Sequence, residues 1–271
     1  MTCGVILSCY NNWDIARRSL KALAAQSRLP DEVAIADDGS RPPADAAIFR
    51  QPFTVHHVWH PDEGNRKPCM LNRAAAQLSS DCLVFVDADC LPHPRFVEDH
   101  LALLAAHPGS YIQGSRAEVA LASVPAFRPR LWTVLRYVVA GKMVSRIKAF
   151  RFPRAARRWV WGGPFYPCGS NLSCRRIDFI AVNGYDETFS GYGNEDNDLC
   201  YRLQAAGIQP VEANGCCILF HLEHQVLRRS AANEARLAEK LRSGKPSCQV
   251  GYAGTCERPP RPTVTTHPPL P

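Results

Sequence analysis

Two carboxylates one residue apart, Asp87 and Asp89, close the apolar run Val84-Phe85-Val86. A short apolar run of this kind reads as a buried strand. A carboxylate at the end of a buried strand needs compensation. Hard divalent cations such as Mn²⁺ or Mg²⁺ supply it, because they prefer oxygen ligands. A cation held by few protein ligands shares the rest of its shell with water and substrate phosphates. The pattern predicts a metal-dependent site for a phosphorylated or nucleotide-activated substrate. An isolated Asp-x-Asp also arises in turns and helix caps, so its companions carry weight.

One companion is Gly191-Tyr192-Gly193-Asn194-Glu195-Asp196-Asn197-Asp198. Acids at a helix start are favoured by the macrodipole, but Glu195, Asp196 and Asp198 exceed what a cap needs. A carboxylate beside a glycine-containing loop can act as a general base, and the Tyr192 ring can stack on a sugar face. Another is His221, which ends the apolar run Leu219-Phe220, with Glu223 and His224 just beyond. Such a histidine is ordinarily a satisfied core residue, but a chain that needs a metal makes it a candidate ligand.

These groups need a frame. Strands are expected at 4–8, 32–36, 53–59 and 83–86, and helices at 14–26, 67–78 and 94–106, with Pro68 tolerated in a first turn. Alternating strands and helices predict an α/β fold with a mainly parallel, doubly wound sheet and helices on both faces. Ligands bind such sheets beyond the carboxyl ends of the strands. Ser8, Asp38 and Asp89 all fall at such ends, which predicts one shared site. Further on, a strand at 170–174, a helix at 196–206, a last strand at 215–221 and a helix at 228–241 are expected, with an aromatic loop at 159–166.

The organisation expected is a nucleotide-binding half over 1–105, an acceptor-binding and catalytic half of the same domain over 106–242, and a tail over 243–271. That tail is rich in Gly and Pro and cannot bury a core, so it is expected to be disordered and dispensable for catalysis. Twelve cysteines are scattered with no Cys-x-x-Cys pair or zinc-finger spacing, which reads as reduced core thiols. With Met1 running directly into a core strand, the expected location is the cytoplasm. The net charge of +7 is uneven: no acid lies between Glu118 and Asp178, while Arg128 to Arg158 is strongly basic. Its apolar middle, Leu131 to Ala140, is too short to span a bilayer. The span suits an anionic membrane surface, an anionic substrate or simple solvation.

The chain resembles the GT-A (Rossmann-like) glycosyltransferases of family 2, with a second half similar to a galactosyltransferase-type C-terminal module. The residues that carry this are Val5 to Asn11, Ala36-Asp37-Asp38-Gly39-Ser40, Val86 to Asp89, Gly184-Tyr185-Asp186-Glu187, Gly191 to Asp196, and His221. The resemblance implies that Ser8 and Tyr10 line the base and ribose pocket and that Asp38 accepts from a pyrimidine, favouring uridine. It implies that Arg66 or Lys67 approaches the base or diphosphate, that Asp87 meets the ribose, and that Asp89 and His221 hold Mn²⁺ or Mg²⁺. Tyr192 stands where relatives carry a tryptophan against the sugar, and Asn194 replaces a usual glycine. Asp196 is the implied base, with Glu195 holding the acceptor or donor sugar.

The function implied is inverting, metal-dependent transfer of a hexosyl or N-acetylhexosaminyl group from a UDP-sugar to a saccharide or lipid-linked acceptor. The setting implied is bacterial polysaccharide or glycolipid synthesis in the cytoplasm or at the inner face of the membrane, with no nucleic acid. A nucleotidyltransferase lacks support, because no Gly-rich phosphate cradle follows the first strand. An inactive scaffold binding anionic membrane or nucleic acid through 128–158 is the competing reading.

Overall fold

The computed structural model describes residues 1–120, 127–143, 146–159, 169–222 and 229–270, the side chains of 158 and 159 excepted. The first half runs β1 (Cys3–Cys9), α1 (Trp13–Ala24), β2 (Glu32–Asp37), β3 (Thr54–Trp59), α2 (Lys67–Ala75), β4 (Cys82–Asp87), β5 (Cys90–Pro92) and α3 (Phe96–Ala106). The second adds β6 (Ser110–Gln113), β7 (Ser115–Val119), α4 (Leu131–Val139), β8 (Asn171–Arg175), α5 (Arg176–Ala181), α6 (Glu195–Ala205), β9 (Gln209–Glu212), β10 (Ile218–Leu222), α7 (Ala231–Ser243) and β11 (Thr263–His267).

Eight strands form one sheet in the order β11-β3-β2-β1-β4-β8-β6-β9. β1 pairs in parallel with β2 and β4, β2 with β3, and β6 with β9, while β8 and β11 run antiparallel to their neighbours. Both faces are covered, which is why the central strands read as continuous apolar runs. Side chains alternate across the sheet. Ile6, Ala34 and Phe85 pack with Met70 and Leu71 of α2 and Leu199 and Leu203 of α6. Val5, Leu7, Val33, Ile35, Val84 and Val86 pack with Leu20 and Leu23 of α1 and Phe96 of α3.

Register then brings the chemistry together. Ser8 lies opposite Asp87 across the β1–β4 pair, and Asp38 follows β2 directly. A small second sheet, β5-β10-β7, sets His221 opposite both Cys90 and Glu118. His221 thereby lies beside Asp89, which is 132 positions upstream in the chain.

Two expectations are corrected. The segment after residue 243 is ordered. Thr263 to His267 form β11, which pairs antiparallel with β3 and covers that edge of the sheet. Tyr252 packs against Phe179, and Arg258 pairs with Glu187. The segment adds a strand to the sheet and joins the hydrogen bonds of Arg73 and Glu187. The run Thr263-Val264-Thr265-Thr266 is β-branched, and flanking prolines are tolerated on an edge strand.

The basic span is likewise less free than its composition suggests. Arg151 and Arg157 both reach the buried carboxylate of Asp99 on α3. An absence of local acid left open a partner from another element. The expected aromatic loop lies outside the described residues over 160–166, as do Glu223 and His224. The eleven described cysteines are free, ten of them buried. Among the described residues no helix is long and apolar enough to cross a membrane.

Candidate active site

A cavity of about 320 Å³ opens at the carboxyl ends of β1, β2 and β4, lined by Ser8, Tyr10, Asp38, Lys67, Asp87 and Asp89 among others. The turn after β2 is held by the buried Asp37, whose carboxylate accepts from the Ser40 N–H at 2.8 Å and faces His57 at 2.9 Å. Gly39 sits there at φ +93°, and a Cβ would lie 2.5 Å from the Asp62 backbone. This turn presents Asp38 to the cavity. One Asp38 oxygen lies 2.7 Å from His60 Nε2, and the other accepts the Arg66 backbone N–H at 2.8 Å.

Asp87 accepts from Ser8 Oγ at 2.5 Å and from Lys67 Nζ at 2.8 Å. Lys67 opens α2 and is only partly exposed. Burial alone would favour its neutral form, but Asp87, Asp196 and Glu195 outweigh it and hold its pKa well above the ordinary lysine value. The ammonium therefore links the cavity to the acidic start of α6. Arg66 contributes its backbone, while its side chain reaches Glu63 at 3.4 Å. Of the two basic candidates, Lys67 lines the cavity and Arg66 does not.

At the cavity's edge, Asp89 Oδ2 faces His221 Nε2 at 3.6 Å, and Glu118 holds His221 Nδ1 at 2.5 Å. Arg116 pairs with Glu118 at 2.7 Å. Burial opposes protonation of His221, yet the two carboxylates raise its pKa to about 9. Among the described residues no three His, Cys, Asp or Glu side chains converge as a closed metal cage. A carboxylate and an oriented imidazole at a cavity mouth nonetheless fit a divalent cation that completes its shell from substrate phosphates. Ligation needs the neutral ring, so the ion would compete with a proton at Nε2.

The third component is the start of α6. Asn194 precedes it in the left-handed region at φ 75°, where asparagine is the best tolerated residue after glycine. It thus meets a backbone demand that favours glycine. Asp196 accepts from the Tyr185 hydroxyl at 3.2 Å, and Gly169 is so close that a Cβ would lie 1.9 Å from Asp196 Oδ1. Burial raises the Asp196 pKa, with Lys67 opposing. Glu195 is buried, and burial together with the Asp196 charge pushes it up to about 7. Among the described residues its Oε2 has no hydrogen-bond partner. Asp198 differs: it pairs with buried Arg202 at 2.6 Å, which also donates to the Val182 and Gly184 carbonyls. Asp198 therefore anchors the helix. Tyr192 is exposed on the loop before α6.

Sequence reasoning did not single out Glu118, His60, Tyr185 and Gly169, which contact the candidate residues. A glutamate at the last acidic position before a long basic span was the one available signal for Glu118. His60 and Gly169 had none, because their partners lie on other segments of the chain.

Comparison with known proteins follows the same outline. Residues 4–179 match the profile of glycosyl transferase family 2. Residues 155–225 match one described as the N-terminal domain of galactosyltransferase. Validoxylamine A glucosyltransferase of Streptomyces hygroscopicus subsp. limoneus is 29% identical over 229 residues, 75% of this chain and 48% of that protein. Chondroitin synthase of Escherichia coli is 25% identical over 222 residues, 75% of this chain and 32% of that protein. The chain spans about half the length of the first relative and about a third of the second. Among solved structures, a fragment of S. aureus TarS in complex with UDP superposes with a TM-score of 0.63 at 14% identity, over 94% of this chain and 68% of that one. GalNAc-T7 with UDP, GalNAc and Mn²⁺ gives 0.62 at 14% identity, over 88% and 48%. At such identities the likeness is one of fold.

Proposed function

The chain belongs to glycosyl transferase family 2 and has the GT-A fold, and from that membership we propose that it transfers a sugar from a UDP-sugar to a saccharide or lipid-linked acceptor. The transfer depends on Mn²⁺ or Mg²⁺ and inverts the anomeric centre. The observation that carries this reading is the single cavity at the strand ends, where Ser8, Asp38, Lys67, Asp87 and Asp89 meet, joined electrostatically through Lys67 to Glu195 and Asp196.

In this reading Asp38 accepts from the base, and Ser8 and Tyr10 line the nucleoside. Lys67 and Asp87 form a charge-balanced pair beside the ribose and diphosphate. Asp89 and His221, the latter oriented by Glu118, would hold the cation. A cation there would supply Lewis-acid neutralisation of the departing diphosphate. Asp196 takes the proton of the attacking acceptor hydroxyl, held toward it by Tyr185 and Gly169. Glu195 holds the acceptor or donor sugar with its unpartnered oxygen, and Tyr192 offers its exposed ring to the sugar. One base and one displacement invert the anomeric carbon. Retention by double displacement would need a carboxylate against the opposite face of the sugar. The group moved is a hexosyl or N-acetylhexosaminyl unit, and the setting is bacterial polysaccharide or glycolipid synthesis.

The test is UDP release from a panel of UDP-sugars with Mn²⁺, together with metal-dependent thermal stabilisation by UDP. Absence of both would end the reading.

A contact with anionic membrane is supported by α4. Val134 and Tyr137 pack inward, while Leu131, Trp132 and Val139 are 63%, 79% and 86% exposed. Exposed Arg130, Arg136, Lys142 and Arg146 flank that face. An apolar face with a tryptophan and basic borders suits the headgroup boundary of anionic lipid. Salt-sensitive binding to phosphatidylglycerol vesicles, weakened by Trp132→Ser, is the expected result. Binding that is absent or indifferent to Trp132→Ser would remove the membrane from the proposal.

A further inference from the structure

Arg73 on α2 is fully buried, yet its guanidinium meets no carboxylate among its hydrogen-bond partners. It donates to the Thr255 carbonyl at 3.2 Å, to the Arg258 carbonyl at 2.9 Å and to His60 Nδ1 at 3.1 Å. Arginine has donors only. Nδ1 of His60 must therefore accept, which leaves the ring proton on Nε2. That N–H points at Asp38 Oδ1, 2.7 Å away. The buried series runs from two carbonyls of the C-terminal segment through Arg73 and His60 to the carboxylate that lines the donor cavity. Every link has one allowed direction.

The same segment is bolted down on its other side. Thr255 Oγ1 donates to Glu187 Oε1 at 2.5 Å, and Arg258 Nε reaches Glu187 Oε2 at 3.1 Å. The Tyr252 N–H donates to the Asn183 carbonyl at 2.7 Å, and the Ala253 N–H to Asn183 Oδ1 at 2.7 Å. Glu187 also accepts from Asn72 at 2.9 Å, one residue before Arg73. The segment is thus fixed against two elements, and the carbonyls it offers Arg73 are held in place.

We propose that residues 252–258 act as a positioning strap that sets the base selectivity of the donor site, by fixing Arg73, through it the tautomer of His60, and through that the direction of the Asp38 carboxylate. This inference rests on the reading of Asp38 as the group that meets the nucleobase. A carboxylate held with a lone pair toward the base selects a base edge that offers an N–H. Uracil N3 carries a proton, and cytosine N3 carries a lone pair. A carboxylate free to rotate loses part of that discrimination, because its remaining oxygens can turn away from the repulsive edge. His60, Arg73 and the strap are positioning residues: none lines the cavity.

The experiment compares UDP with CDP by calorimetry on the full chain in excess Mn²⁺. The parent should prefer UDP. His60→Leu removes both ends of the relay and should reduce the UDP-to-CDP preference about tenfold, the scale of one lost charge-assisted hydrogen bond. His60→Gln can accept from Arg73 and donate to Asp38, and should keep most of the preference. Arg258→Ala loosens the strap at a partly exposed position and should lower the preference a few-fold. A folded His60→Leu protein with the parent's preference overturns the proposal. Where His60→Leu melts early, Arg258→Ala decides: an unchanged preference there overturns it equally. A uniform loss of affinity for both nucleotides, with His60→Gln no better than His60→Leu, would mark a merely structural role and also overturn it. A parent that binds both nucleotides equally, or neither, would instead refute the assignment of Asp38 to the base.

Discussion

Asp38 and Asp87, at the strand ends, each meet two close donors, whereas at the start of α6 Asp196 meets the neutral Tyr185 hydroxyl and Glu195 Oε2 has no partner among the described residues. Asp38 is met by His60 and the Arg66 N–H, and Asp87 by Ser8 and Lys67. Glu195 and Asp196 both feel the Lys67 ammonium, yet burial pushes both toward protonation. The difference matches two kinds of work. A carboxylate that orients a base or a ribose must be held still, which close donors ensure. A carboxylate that takes a proton needs a pKa near the working pH, which under-compensated burial supplies. The helix N-terminus alone would have pulled the pair the other way; desolvation wins.

The comparison breaks most sharply at Asp196. Asp196→Asn keeps the shape and removes the basicity. Transfer should fall about 10²–10⁴-fold, with UDP and Mn²⁺ affinity near the parent's by calorimetry. Near-normal turnover would move the base elsewhere, with Glu195 the first alternative.

At the strand ends the loss should be one of binding. Asp89→Ala should weaken metal-dependent UDP affinity by at least about 10–100-fold, and His221→Ala by less. Unchanged Mn²⁺ affinity in His221→Ala would return the histidine to the core.

Glu195 sharpens the contrast through stability. Its folded pKa of about 7 lies above the unfolded carboxyl value, so folding favours the protonated form. Its cost is absent below the unfolded pKa, grows as pH rises toward 7, and is constant above. Glu195→Gln should therefore match the parent in urea unfolding near pH 4 and exceed it at pH 8 by on the order of 1–3 kcal/mol. Equal stability at pH 8 would mean the carboxylate is solvated.

The smallest expected effect tests the link between the two regions. The Lys67 cation lowers the pKa of both Glu195 and Asp196. Lys67→Met should raise them, so the acidic limb of the transfer rate should move to higher pH by about one unit or less. A limb that stays in place would separate the ammonium from the acidic pair.

What the sequence determined by itself was local. Apolar runs with flanking turns made β1 to β4 legible, and their ends located Ser8, Asp38, Asp87 and Asp89. The glycine-bounded acidic run marked the start of α6. Strand and helix periodicities repeat over a few residues, so a window of that length contains them. The tertiary structure decided which of these residues share partners. Glu118 meets His221 across 103 positions, and Arg73 meets the Thr255 carbonyl across 182. No local pattern encodes such pairs, because a hydrogen bond leaves no periodicity in either segment. The C-terminal segment shows the same limit. Its composition pointed to a disordered tail, but an edge strand needs only an open neighbour, and the openness of β3 is a property of the folded sheet. The tuning of Glu195 and Asp196 was also decided there, since desolvation depends on what the fold packs around a carboxylate and not on the residues beside it.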